Sequence, residues 1–555
     1  MFQTMFKENN REFLFGLLVA TIAFLVYANS LGNGFTLDDD SVILNNPVLK
    51  GNFLSLFSSI DTTGETQLLP FYRPVTYLTF MIEWHVHGFN PFFVRLVNVL
   101  LHSANTFLVY RLARSLNKEN IYVALLAGIL FAVHPQQSEG VDFNAGGRNT
   151  MLACFFSISI YLIHRKSINQ GKTYWSFAGA CLFLTGIFAK ETALMILPFV
   201  FALEYQSLRT DGTGTRLQTV IRLTPYCAAV ALYLLMRWLT LSKLGIQTSI
   251  IPGLGTKLLE TMYITTDLGT RLLDNLYIIP RYFLTAIWPL HLSSRYVMPD
   301  DLNLLALPLI GGWICICASI GWICTRGRSA TSLFGLSWMV LFWLPVSGIV
   351  FVPGAPLADR FFYIPVIGLW LIISDQICRY FPTDSPILRR IGIATTVILF
   401  LVLATLTVKR NQEWKSNYAL YKGLVEHYPE NVHAHAGLGK VFYGRDKEHN
   451  PALAEQEFEK VIAMDPNFPM IYTYLGNIKL NKEDLAGALY CYGKAIEVYP
   501  YDKEARLNRG ITLEKLGRSK EALTDYLFFL SSPGSFDNLP GGREHAEKRL
   551  RELLR

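Results

Sequence analysis

Long apolar runs alternate with short polar loops through the first 409 residues, whereas the remainder is polar and repeats with a helical period. At roughly 1.5 Å per helical residue, residues 13–31 are just long enough to cross a bilayer. Lys7 and Arg11 precede this run and Ala28-Asn29-Ser30 follows it, a pattern compatible with signal cleavage; its length favours an uncleaved span. Further spans are predicted over 93–112, 121–133, 151–163, 175–189, 193–205, 223–241, 304–323, 332–350, 361–377 and 391–408, about eleven crossings in all. Residues 52–90 are aromatic-rich but broken by Pro70 and Pro74, with Pro91 following, which predicts interfacial helices. Residues 268–290 contain Arg271, Asp274 and Arg281. A crossing there would turn the basic loop 324–329 outward, so the segment is read as re-entrant or interfacial.

Basic residues fix the orientation. Arg111, Arg114 and Lys118, then Arg165, Lys166 and Lys172, then Arg209, Arg216 and Arg222 mark cytoplasmic loops. The loop after the first span and the polar tail then share the outer face.

The tail has an internal period of about 34 residues, seen in Ala454, Ala488 and Ala522 and in Phe458, Tyr492 and Tyr526. Leu438-Gly439, Leu475-Gly476 and Asn508-Arg509-Gly510 hold the small-residue position of each first helix. This is tetratricopeptide spacing, with three repeats, a half repeat at 421–429 and a few extra residues around 446–450. The predicted organisation is a polytopic helical domain over 1–409 with its first outer loop at 31–92, a solenoid over 410–540, and a capping helix over 541–555. The concave face of such an array takes peptides or proteins; a spacer or dimer contact is the plainer alternative.

Composition agrees with a membrane protein: 51% hydrophobic and 17% charged residues, with mean hydropathy +0.29. From Arg410 onward there are 21 basic and 21 acidic residues, so the net +7 resides in the membrane part. A topological excess of this kind implies no nucleic-acid partner. Seven of the eight cysteines lie in or beside apolar runs, which argues against disulfides and zinc.

Candidate chemistry gathers at outward ends of spans. Asp38, Asp39 and Asp40 follow the first span, and the other outer loops bring Arg73, His134, Glu139, Arg148, Lys190, Glu191, Asp359 and Arg360. A carboxylate beside basic groups suits a base that activates a nucleophile while cations hold an anionic leaving group. A lipid phosphate is that leaving group, which makes glycosyl transfer from a polyprenyl phosphate sugar the fitting reaction. Each residue also has a plainer role: a solvated acidic loop, neighbouring ion pairs at 190–191 and 359–360, a helix end at His134-Pro135. Three adjacent carboxylates could hold a divalent cation, but on an extended loop they point different ways, and no metal or other cofactor is required.

FTLDDDSVILNN, FYRPVTYLTF, NPFFVRLVNVLLHSANTFLVYRL, LFAVHPQQSEGVDFNAGGRN, AKETALMILP and LPVSGIVFVPGAPLADRFFYIP, followed by the repeats, resemble the transmembrane and tetratricopeptide-repeat-containing O-mannosyltransferase family and its bacterial relatives. The resemblance covers about residues 34–530. It implies an all-α, GT-C-like membrane fold and a lipid-phosphate-linked sugar donor. In the family register Phe35, Asp38, Asp39, Ile43 and Asn46 match, which selects Asp38 and Asp39 as the catalytic pair. Arg360, Lys190, Arg73, His134 and Arg148 would bind the donor phosphate; Glu139, Glu191, Asn98, His102, Asp359 and Tyr363 would shape the pocket. Two departures stand out: Thr150 where the family has an acid, and Arg295 where an acid precedes Tyr296.

The expected function is inverting transfer of a sugar from a dolichyl- or undecaprenyl-type phosphate donor to Ser or Thr of a protein held by the repeats. The alternatives are a lipid or envelope polysaccharide acceptor on the same fold, and a membrane-anchored scaffold without catalysis. The absence of any Asn-x-Ser/Thr sequon and the short array favour a bacterial inner membrane with a periplasmic site over the endoplasmic reticulum.

Overall fold

The computed structural model describes residues 2–57, 71–209, 215–243, 268–290, 292–296, 298, 306–349, 357–381, 385–444, 447–531 and 541–553. Parts of the predicted interfacial stretch (58–70), of the repeat insertion (446) and of the capping segment (554–555) lie outside these. Every element among the described residues is helical, and the chain divides into two compact units, Met1–Ser416 and Asn417–Arg555.

The first unit contains α1 (Phe2–Tyr27), α2 (Pro74–His87), α3 (Pro91–Leu116), α4 (Ile121–Val133), α5 (Ser138–Asp142), α6 (Asn144–Gln170), α7 (Tyr174–Ala189), α8 (Leu197–Arg209), α9 (Arg216–Lys243), α10 (Leu268–Ile287), α11 (Leu307–Cys324), α12 (Ala330–Trp343), α13 (Val366–Tyr380) and α14 (Pro386–Glu413). Local sequence sets the boundaries. Asn90 and Asn120 accept the backbone N–H of Phe92 and Tyr122 to cap α3 and α4, and Pro91 opens α3 where its missing N–H costs nothing. Gly88, at φ 64°, ends α2 in the left-handed conformation.

Among the described residues six helices are long and apolar enough to cross a membrane: Asn10–Gly32, Pro91–Leu116, Asn144–Gln170, Arg216–Ser242, Leu307–Cys324 and Pro386–Glu413. The pair Ile121–Val133 and Pro135–Asp142, bent by 55°, makes a seventh if it is one span. Only 11% of the apolar window of α14 is buried, as a lipid-facing helix requires.

Residues 134–150 depart from the sequence reading, which took them as a polar outer loop. They fold into a 3-10 turn, α5 and the first turns of α6, and all but Gly146 are buried. Several of the polar groups find partners inside: Asn144 with Asp39 and Asn98, Arg148 with Asn98 and Glu83, and Glu139 with Arg360. Gly147 lets α6 touch α5: a Cβ there would lie 2.0 Å from the carbonyl oxygen of Gly140.

The second unit contains α15 (Asn417–His427), α16 (Val432–Tyr443), α17 (Pro451–Met464), α18 (Ile471–Asn481), α19 (Leu485–Val498), α20 (Lys503–Lys515), α21 (Ser519–Ser531) and α22 (Gly542–Leu553). The residues that carry the sequence period meet in space. A Cβ on Gly439, Gly476 or Gly510 would fall 2.5, 2.5 or 2.8 Å from the ring of Phe458, Tyr492 or Tyr526. Glycine on each first helix is thus the seat of the aromatic ring on its partner.

Candidate active site

The acidic loop turns on Leu37, whose φ of 53° is a left-handed conformation costing a non-glycine residue about 1–2 kcal/mol. After it, Asp38 and Asp40 are exposed and Asp39 is fully buried. Asp39 sits at the N-terminus of α6. Its Oδ1 accepts the backbone N–H of Ala145 at 2.8 Å, and Oδ2 accepts Asn144 Nδ2 at 2.8 Å and the N–H of Thr36 at 3.1 Å. Burial raises the Asp39 carboxyl from its ordinary 3.8 to about 6, against these donors and the nearby Arg95.

Behind Asp39 runs a chain of buried polar groups. Asn98 Nδ2 donates to Asn144 Oδ1 at 3.2 Å, Arg148 Nε donates to Asn98 Oδ1, and Arg148 Nη1 reaches Glu83 at 2.9 Å. Arg148 also donates to Thr79 Oγ1 and to the Val94 carbonyl, with its guanidinium over the Phe80 ring and no exposed surface. Through Asn98 it is linked to the Asn144 that seats Asp39. His134 is enclosed as well. It is buried against Trp370, and its Nδ1 accepts the N–H of Gln136 at 3.3 Å to cap the turn before α5.

The other expected cations do gather. Glu139 of α5 takes the Arg360 guanidinium and, at 2.9 Å, its backbone N–H. Arg73 donates to Glu191 Oε2 at 3.0 Å, and Lys190 Nζ donates to Thr150 Oγ1 at 2.6 Å. Thr150 offers a neutral hydroxyl where the resembling family has an acid, so this contact does not offset the Lys190 charge. Burial, then Arg73 and Arg360, push Lys190 well below the usual lysine range. Glu191 is raised by burial but held below its usual value overall by Arg73 and Arg237. Asp359 accepts Tyr296 OH at 2.9 Å and is raised by burial and by Glu139.

Asn98 belongs to the Asp39 seat, but His102 and Tyr363 lie deeper. His102 Nδ1 pairs with Tyr363 OH at 2.8 Å, and Asn105 Nδ2 donates to the same oxygen at 3.3 Å. Among the described residues no three His, Cys, Asp or Glu side chains are grouped to hold a metal.

Two arginines escaped the sequence reading. Arg237 of α9 is buried beside Glu191 and Tyr233, and its Nε and Nη1 have no hydrogen-bond partner among the described residues. Arg95 of α3 is 1% exposed and ties together the acidic loop, α5 and the end of α14. A basic residue within the apolar run 93–112 was the available signal for Arg95.

Residues 73–240 match the family model described as Dolichyl-phosphate-mannose-protein mannosyltransferase. Protein O-mannosyl-transferase F38B6.6 of Caenorhabditis elegans is 26% identical over 81% of this chain and 63% of its own length. Protein O-mannosyl-transferase TMTC3 of Mus musculus is 23% identical over 92% of this chain and 63% of its own. Protein O-mannosyl-transferase TMTC4 of Homo sapiens is 24% identical over 76% and 63%. The chain thus spans less than two thirds of the length of these curated relatives. A solved structure, the yeast Tom70, aligns at TM-score 0.18 and 12% identity over 80% of this chain and 96% of its own, a similarity on which nothing rests. The chain is thus similar over most of its length to protein O-mannosyl-transferases of the TMTC type, and over residues 73–240 to the mannosyltransferase family model.

Proposed function

We propose that this protein is an inverting glycosyltransferase that moves a sugar, mannose by kinship, from a polyprenyl phosphate to Ser or Thr of a protein acceptor. The site would face the non-cytoplasmic side of a multi-pass GT-C-like domain, and the repeat unit would receive the acceptor. One observation carries the reading. Residues 139–145 anchor the acidic loop and a cation together: Asn144 and Ala145 hold Asp39, Glu139 holds Arg360, and the Arg360 guanidinium lies 5.4 Å from the Phe143 ring.

In this reading the exposed Asp38 is the base and the buried Asp39 fixes its position. Asp38 takes the proton of the acceptor hydroxyl, whose oxygen bonds to the anomeric carbon from the face opposite the phosphate. The bond from that carbon to the phosphate oxygen breaks, and its electron pair leaves on the polyprenyl phosphate. Arg360 and Lys190 meet the growing charge. Burial disfavours the Lys190 cation, and a phosphate placed beside it would favour the charged form. Arg73 positions Glu191, and Glu139, Asp359 and Tyr363 support the pocket.

The test is purified protein with a polyprenyl-phosphate mannose and a Ser/Thr-rich acceptor peptide. The expected products are an α-linked mannosyl peptide from a β-linked donor and free polyprenyl phosphate, lost in Asp38→Asn. Retention of configuration, or transfer only to lipid, would refute the proposal.

A further inference from the structure

Arg95 is buried among backbone oxygens from three distant parts of the first unit. Its Nε donates to the Asn33 carbonyl at 2.9 Å, Nη2 to the carbonyls of Gly34 and, at 3.3 Å, of Trp414, and Nη1 to the Asp142 carbonyl at 2.9 Å. The Asp142 carboxylate is 3.7 Å away. The same two loop residues are fastened to the end of α14 a second time: Gly34 N–H to the Lys415 carbonyl at 3.0 Å, and Asn33 Nδ2 to the Asn411 carbonyl at 2.8 Å. Leu37, Asp38 and Asp39 follow within five residues of Gly34. α5, whose Asp142 faces Arg95, also carries the Glu139 that holds Arg360.

We infer that Arg95 is a positioning residue for the transfer, setting the acidic loop in register with α5 and with the end of α14, where the chain continues into the repeat unit. This rests on the proposed transferase reading and assigns within it a residue that touches neither substrate. A fully buried guanidinium spread over four carbonyls fixes a loop more tightly than a point charge, because its planar fork must meet all of them together. A displacement of about 1 Å at a reacting group can cost about a hundredfold in rate. The groups that face Arg95 are Asp142 from α5 and Asp39 from the loop, and no other charged group among the described residues is recorded against it.

The experiment compares purified full-length wild type, Arg95→Gln and Arg95→Lys for peptide mannosylation across pH, with the folded fraction isolated by size exclusion. Arg95→Gln is expected to lower kcat about a hundredfold while leaving donor KM within about threefold. Its acid limb should move to higher pH, because Asp39 loses a cation. Arg95→Lys, which keeps the cation but cannot span the four carbonyls with a planar fork, should lower kcat while leaving the acid limb near its wild-type position. A merely structural Arg95 would reduce the folded amount and leave kcat and both limbs unchanged, and that result overturns the inference. If Arg95→Gln yields no folded protein, Arg95→Lys decides alone, an unchanged kcat overturning the inference. A wild type that transfers nothing overturns the transferase reading beneath it.

Discussion

Asp39→Asn separates what the buried carboxylate does for the fold from what it does for the site. Burial lifts the Asp39 carboxyl from 3.8 to about 6. At about 1.4 kcal/mol per tenfold, that rise is about 3 kcal/mol. The sign follows from linkage. Below the unfolded value the group is protonated in both states and contributes nothing. Between about pH 4 and about pH 6 the unfolded chain ionises first, so stability falls as pH rises, and above the folded value the full penalty of about 3 kcal/mol is present. The amide introduced by Asp39→Asn does not titrate. The stability of the variant relative to wild type should therefore improve by about 3 kcal/mol between about pH 4 and about pH 7. The assay is the apparent unfolding temperature in detergent, followed by tryptophan fluorescence at several pH values. The difference between variant and wild type should shift by several degrees, in favour of the variant, from acid to neutral pH. Activity should fall at every pH, since an amide cannot accept all three N–H donors that seat the carboxylate. Parallel curves across the range would refute the buried, ionised Asp39 on which the site is built.

Three other outcomes are expected. Arg148→Ala strands Glu83 and opens the seat of Asp39, so it should cost about 3–5 kcal/mol and show as lost folded protein in size exclusion, with the donor KM of any surviving protein unchanged. Arg360→Gln removes one charged contact to the phosphate, worth about 1.5–3 kcal/mol, so donor KM should rise about 10- to 100-fold in a titration against polyprenyl-phosphate mannose. Deleting residues 431–555 should raise acceptor KM strongly and leave donor binding intact; unchanged acceptor kinetics would show that the repeats do not receive the protein acceptor.

The parts of this architecture that the sequence made legible are those in which one residue type recurs at a fixed interval or stands beside its own neighbours. The 34-residue period turned out to be Gly439, Gly476 and Gly510 seating Phe458, Tyr492 and Tyr526. Apolar runs located the long helices, although six or seven of those described are long enough to cross, against about eleven expected. The segment 134–150 was misjudged because its residues are polar, and polarity alone cannot tell a solvated loop from one whose partners are elsewhere in the fold. The partners of Arg148 were hidden for the same reason: Glu83, Asn98 and Thr79 are distant in sequence. Arg95 bonds to carbonyls contributed by residues 33, 34, 142 and 414, and backbone acceptors leave no trace in composition.

Sugar transfer to protein by the proposed Asp38–Asp39 loop can be read directly. The direct measurement is the intact mass of an acceptor protein recovered from cells carrying wild type, Asp38→Asn or Asp39→Asn, each confirmed by its abundance in the membrane. Added mass in steps of one hexose is expected with wild type, and none with either variant. Identical hexose addition in all three would contradict it.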